Sequence, residues 1–94
     1  MAKYRKKPQP IDKVIEAEQF IKEQKPWPKG VDFDERFEEG PAQQWAGHVK
    51  YFFVTTIHGQ KTWITDGDWI IQEPDGEHYY PCRPDIFEQT YEKV

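Results

Sequence analysis

Cys82 is the residue whose type is best suited to covalent chemistry, since it is the one thiol in the chain and Arg83 follows it directly. A neighbouring guanidinium can lower a thiol's pKa. A Cys–His pair would need His48, His58 or His78 beside the sulfur. His78 lies four residues back on the same expected strand, about 13 Å away along it. The simpler reading of Cys82 is a small buried hydrophobe. The chain has no Ser, so a Ser-based triad is excluded. Asp32 and Asp34 open like a calcium loop, but Arg36 stands where the next acidic ligand belongs and the required Gly is missing. Asp66 and Asp68 flank Gly67, where Asp serves a turn through its own hydrogen bonds. The three His have no zinc-like spacing. No Gly-rich phosphate loop is present, and no glycosidase-like carboxylate pair can be placed. The reading is a non-catalytic protein with no metal and no cofactor.

Binding chemistry is better represented. Aromatic residues make up 16% of the chain, more than so small a core needs. Trp63, Trp69, Tyr79 and Tyr80 fall on adjacent expected strands. Arg5, Lys6, Lys7 and Arg83 supply charge that can neutralise phosphates, and Trp69 and Tyr80 supply faces on which a base can stack. These six residues form the expected ligand-binding set. The competing reading is that the rings replace Leu, which the chain lacks. Strand alternation sends Tyr79 and Tyr80 to opposite faces, so one of the two is expected outside the core. A separate feature is acidic: Asp32, Asp34, Glu35, Glu38 and Glu39 give a dense negative field that could mimic nucleic acid toward a host protein. The plainer reading is a solvated loop.

The elements that must position these residues follow from pattern. Residues 49–57, 61–65, 69–72 and 77–82 read as strands. They are separated by turns at His58-Gly59, Asp66-Gly67-Asp68 and Pro74-Asp75-Gly76. This is an antiparallel meander. Pro84 and Asp85 begin a helix, with Asp85 and Glu88 spaced as a capping box and Phe87 and Tyr91 on one face. Residues 14–20 are expected as a strand, with a short helix over 18–24 as an alternative. Residues 25–48 form an irregular acidic excursion punctuated by Pro and Gly, with a helical turn over 34–39 suggested by Phe33 and Phe37. Trp27 and Trp45 are expected to anchor it. The fold class is α+β: a small antiparallel curled sheet or partial barrel of four to five strands, closed by a C-terminal helix.

Composition bounds the rest. Ninety-four residues make a single domain over 1–94, with marginal stability. The absence of Leu, together with abundant Ile, Val, Phe, Tyr and Trp, favours strands. A net charge of −4 argues against direct nucleic-acid binding by the whole chain. One Cys fits a reducing compartment. No run is long and apolar enough for a membrane helix, and the basic N-terminus lacks the apolar region of a signal peptide. The expected setting is cytoplasmic.

Certain runs carry a resemblance. Tyr4-Arg5-Lys6-Lys7-Pro8, the Ile15-Glu16-Ala17 segment with Gln19-Phe20, and the closing GDWII, GEHYYPC and PDIFEQTYE runs are similar to a group of small phage and prophage proteins. The likeness covers residues 4–20 and 49–92, about two-thirds of the chain. Gln9 to Lys13 looks inserted relative to shorter members. The resemblance implies a phage accessory protein in the host cytoplasm, with counter-defence as a recurring role, and implies no catalytic residues. Joined to the binding set, it gives the expected function: sequestration of a small anionic nucleotide-like ligand, with a homo-oligomer as one way to build the pocket. The alternatives are a protein–protein inhibitor of a host factor acting through the acidic 27–47 loop, and a structural phage component.

Overall fold

The computed structural model describes residues 1–7, 14–39 and 45–94, and their side chains except those of 36–39 and 45–48. The Gln9 to Lys13 segment and the anchoring role of Trp45 lie outside what is described. The chain runs β1 (Ala2–Lys6), β2 (Val14–Gln19), β3 (Asp32–Glu39), β4 (Trp45–Thr55), β5 (Lys61–Trp63), β6 (Trp69–Gln72), β7 (Tyr79–Cys82), α1 (Pro84–Thr90) and β8 (Tyr91–Lys93).

The strands form two antiparallel sheets instead of the one curled sheet expected, and neither closes on itself. The first has five strands in the order β7-β6-β2-β1-β8, and the second has three in the order β3-β4-β5. The expected meander is therefore split. β4 and β5 form a hairpin in one sheet, and β6 and β7 form a hairpin in the other. The turn at residues 65–68 makes the crossing, held by Thr65 N–H donating to the Asp68 carboxylate at 3.0 Å and by Gly67 at φ 94°.

Two apolar clusters hold the sheets. Phe20, Phe52, Val54, Ile64, Ile70 and Tyr79 pack between the sheets, with Trp27, Val31 and Phe33 against them. Ala17, Ile71 and Phe87 form the second cluster, on the other face of the five-stranded sheet, with Tyr4, Ile15, Trp69, Tyr80, Cys82 and Tyr91 around them. Alternation explains the division: Ile70 and Tyr79 face one way, Ile71 and Tyr80 the other. Each fully buried ring or branched side chain stabilises the fold by about 1.5–3 kcal/mol.

The strand expected over 14–20 is borne out as β2, no helix forms over 18–24, and two other local expectations change. Residues 14–19 are a strand, because Ala17 is fully buried opposite Ile71 and tertiary pairing outweighs the weak helical spacing. Residues 25–48 are not irregular throughout. Asp32–Glu39 is a strand paired with β4 from Asp32↔Phe53 to Glu39↔Trp45. A spacing of four, as between Phe33 and Phe37, keeps residues on one face of a strand as well as of a helix. The capping box is absent. The N-cap of α1 is Arg83, which makes no side-chain cap bond, and Pro84 opens the helix, so Asp85 already lies inside the first turn. Phe87 alone is buried from α1, stacked on Trp69 at 4.1 Å and 7°.

Candidate functional site

The six residues expected to bind a ligand do not converge. Trp69 is committed to the second cluster, stacked on Phe87 and edge-on to Tyr4 at 5.3 Å. Tyr80 lies on the same face and is half-buried. Burial first, then the neighbouring Tyr91 hydroxyl, pushes its pKa well above the usual tyrosine value. Arg5 points to the opposite face, where its Nε donates to Glu92 at 3.0 Å. Lys6 alternates back to the helix side and is exposed. Lys7 is tied to the C-terminal end of α1, with Nζ donating to the Glu88 carbonyl at 2.8 Å. Arg83 lies at the other end, about 10 Å away along a helix of this length, and makes no side-chain bond to it. The rings thus serve the core, and the cations are spread over two faces and both ends of the helix.

Cys82 sits half-buried at the β7 edge. Burial, then the carboxylates of Asp68 and Asp85, pushes its thiol pKa up. The charges that reach it favour the thiol, which is the opposite of an activated nucleophile. His78 contacts the Asp75 carboxylate, not the sulfur. Asp75 also accepts the backbone N–H groups of Glu77 and His78, each at 3.0 Å. The Glu77 N–H first, then the His78 side chain, lowers the Asp75 pKa. Pro74-Asp75-Gly76 is accordingly a side-chain-stapled turn between β6 and β7.

A different place combines aromatic surface with positive charge. β5 stops at Trp63, while β4 continues back through Tyr51 and Lys50. Between this part of β4 and the chain after Trp63 lies a groove of about 370 Å³. Phe20, Phe52 and Ile64 form its floor, and Lys22, Lys50, Tyr51, Trp63, Thr65 and Asp66 line its rim. The volume falls at the lower end of the range for small-molecule sites. Trp63 is 49% exposed and packs edge-on to Tyr51 at 6.0 Å and to Phe53 at 5.6 Å. Lys22 Nζ lies 5.8 Å from the Phe52 ring centroid, and Lys50 Nζ lies 4.9 Å over the Phe33 ring. Lys50 also pairs with Glu35 at 3.9 Å across solvent-exposed surface, a contact weak enough for an anion to displace. The Asp66 carboxylate accepts the Lys22 N–H at 2.7 Å, fixing the rim. The arrangement offers two ammonium groups for an anion, while Trp63, which alternation places with Tyr51 and Phe53 on the other face of the sheet, reaches the groove at its edge.

Trp63 was visible in the sequence as a ring on an expected strand. Lys22 and Lys50 were not, because they lie 28 residues apart and belong to no motif. What brings them together is the pairing of the two sheets through Phe20 and Phe52.

No protein-family model, no curated protein and no solved structure matches the chain. Among the described residues no helix is long and apolar enough to cross a membrane.

Proposed function

We propose that this protein is a non-catalytic phage accessory protein, acting in counter-defence in the host cytoplasm, that binds and sequesters a small anionic nucleotide-like ligand. The ligand sits in the groove between β4 and the segment after β5, not at the set expected around Trp69. The observation that carries this reading is a groove floored by Phe20, Phe52 and Ile64, with Lys22 and Lys50 on its rim and the half-exposed Trp63 at its edge. Stacking on one ring and pairing with two ammonium groups matches the chemistry of a nucleotide, and Asp66 can accept an amino group of a base. Phage origin rests on the likeness of the terminal runs described above.

Isothermal titration with cyclic nucleotides and ADP-ribose derivatives tests it. Lys22→Ala, Lys50→Ala and Trp63→Ala are each expected to weaken binding about tenfold, and Arg5→Ala to leave it unchanged. Absence of heat with every candidate, with no nucleotide carried through purification, overturns the reading.

The second reading is a protein–protein inhibitor working through residues 27–47. The long β3–β4 hairpin favours it, since β3 places Asp32 and Asp34 on one face at a sheet edge. Asp34 is partly neutralised by Lys61 at 3.2 Å, which reduces the negative field a nucleic-acid mimic needs. A structural phage component remains the third class and would be recovered in purified particles.

A further inference from the structure

Residues 21–30, IKEQKPWPKG, set Lys22, Lys25 and Lys29 against the single carboxylate of Glu23, a local excess of positive charge in a chain of net charge −4. The segment folds onto the aromatic cluster beside the groove. Gln24 N–H donates to the Ile21 carbonyl at 3.0 Å, and Trp27 Nε1 donates to the Lys22 carbonyl at 3.0 Å. Trp27 meets Phe52 at 4.9 Å and Phe33 at 5.9 Å, and Phe33 meets Phe52 at 5.9 Å. Each of these three rings carries one lysine. Lys22 Nζ lies 5.8 Å from the Phe52 centroid, Lys50 Nζ 4.9 Å from that of Phe33, and Lys25 Nζ 4.9 Å from that of Trp27. A ring face attracts an ammonium, and an ammonium has three donors, so others stay available to an anion. The rings thereby hold the long side chains in place, which lowers the ordering cost of a contact made through them. Among the described residues the ion pairs are Arg5–Glu92, Lys50–Glu35, Lys61–Asp34 and His78–Asp75. Neither Lys22 nor Lys25 is neutralised in this way.

The groove uses two of these lysines. Lys22 and Lys50 line it, whereas Trp27 and Lys25 do not. Trp27 packs against the Phe52 floor, so Lys25 stands next to the groove and not in it. A volume of about 370 Å³ takes a base and sugar with one phosphate at the lysine rim. A phosphomonoester carries about two negative charges at neutral pH, which Lys22 and Lys50 match. A third ammonium on the adjoining ring has no counterpart in such a ligand. On the reading that the groove takes a nucleotide, we propose that its ligand is a nucleoside diphosphate or a diphosphate ester of one, with the second phosphate leaving the groove and pairing with Lys25. Of the two ligand classes titrated above, this selects the ADP-ribose derivatives over the cyclic mononucleotides. Asp66 and Glu35 are the carboxylates beside Lys22 and Lys50. Asp66 is engaged by the Lys22 backbone N–H and Glu35 by Lys50, and neither pairs with Lys25.

Titration calorimetry of the full chain with AMP, ADP and ADP-ribose tests the assignment. ADP and ADP-ribose are expected to bind about tenfold tighter than AMP, through one further charge-assisted contact. Lys25→Ala is expected to remove that advantage, and Lys25→Arg, which keeps the charge, to retain most of it. Lys29→Ala is the control for diffuse charge. Lys29 belongs to the same segment, but among the described residues it sits over no ring, and its removal is expected to leave the ratio of ADP to AMP affinity unchanged. Equal binding of AMP and ADP by the wild-type chain overturns the assignment, as does Lys29→Ala lowering ADP affinity as much as Lys25→Ala. AMP tells the two possible failures apart. AMP bound with no gain for ADP removes the diphosphate assignment alone, whereas no binding of any of the three removes the nucleotide reading with it.

Discussion

Two single residues show how tightly the core fixes its neighbours. Gly30 adopts φ 94°, and a Cβ built there would lie 2.1 Å from Cδ1 of Tyr79, a ring that is 4% exposed. Gly30→Ala therefore combines left-handed backbone strain with overpacking and is expected to cost on the order of 2–4 kcal/mol. Thermal melting reads this directly, and an unchanged midpoint would contradict the contact. Tyr80 supplies a pH dependence. Its folded pKa lies above the reference value of 10.0, so the native state holds a proton that the unfolded chain gives up first. Stability is unaffected by this group below pH 10 and declines as pH rises past it. The wild-type melting midpoint is expected to fall more steeply than that of Tyr80→Phe between about pH 9.5 and 11.5. Parallel curves for the two proteins would rule out the assignment.

At the scale of elements, α1 contributes one side chain that matters to the fold. Phe87 is 2% exposed and lies among Trp69, Tyr4 and Tyr91, with centroid distances of 4.1, 5.0 and 4.9 Å. Phe87→Ala is expected to destabilise by about 3–5 kcal/mol, a large share of what a chain this size has. Urea titration is the measurement. The helix is too short to be stable by itself and exists because this ring is buried. β8 follows it without a loop and pairs with β1 from Tyr4↔Lys93 to Lys6↔Tyr91, so the C-terminal segment is bound to the N-terminal strand.

At the scale of the whole molecule, the hairpin of β3 and β4 sets the shape. The extents are 58 × 25 × 21 Å with a radius of gyration of 15.9 Å, against about 12 Å for a globular chain of this length. Its base is not a removable loop. Trp27, Val31 and Phe33 pack on the cluster between the sheets, and Trp27 meets Phe52 at 4.9 Å. Deleting residues 27–47 is therefore expected to abolish cooperative unfolding, whereas removing 38–46 and closing the ribbon with a two-residue turn should retain it. A cooperative melt from the larger deletion would show that these rings are dispensable. The test of the inhibitor reading accordingly belongs to the shorter deletion.

The sequence by itself determined the strands whose signals are local. Trp69–Gln72 was readable at both ends, as were the Gly59, Gly67 and Gly76 turns, because β-branched and aromatic runs bounded by Gly need nothing distant to declare themselves. The opposite orientations of Tyr79 and Tyr80 followed from the pleat alone. Only the tertiary structure decided that the strands divide between two sheets, since a turn such as Asp66-Gly67-Asp68 serves a hairpin or a crossing equally well. It likewise decided that Asp32–Glu39 is a strand, because its partner lies in β4, and that Trp69 and Tyr80 are spent on packing around Phe87. Lys22 and Lys50 come together for the same reason: contacts between residues far apart in the chain leave no spacing in the sequence, and only the burial of Phe20 against Phe52 brings them to one groove, whose edge Trp63 reaches through the pairing of β5 with β4.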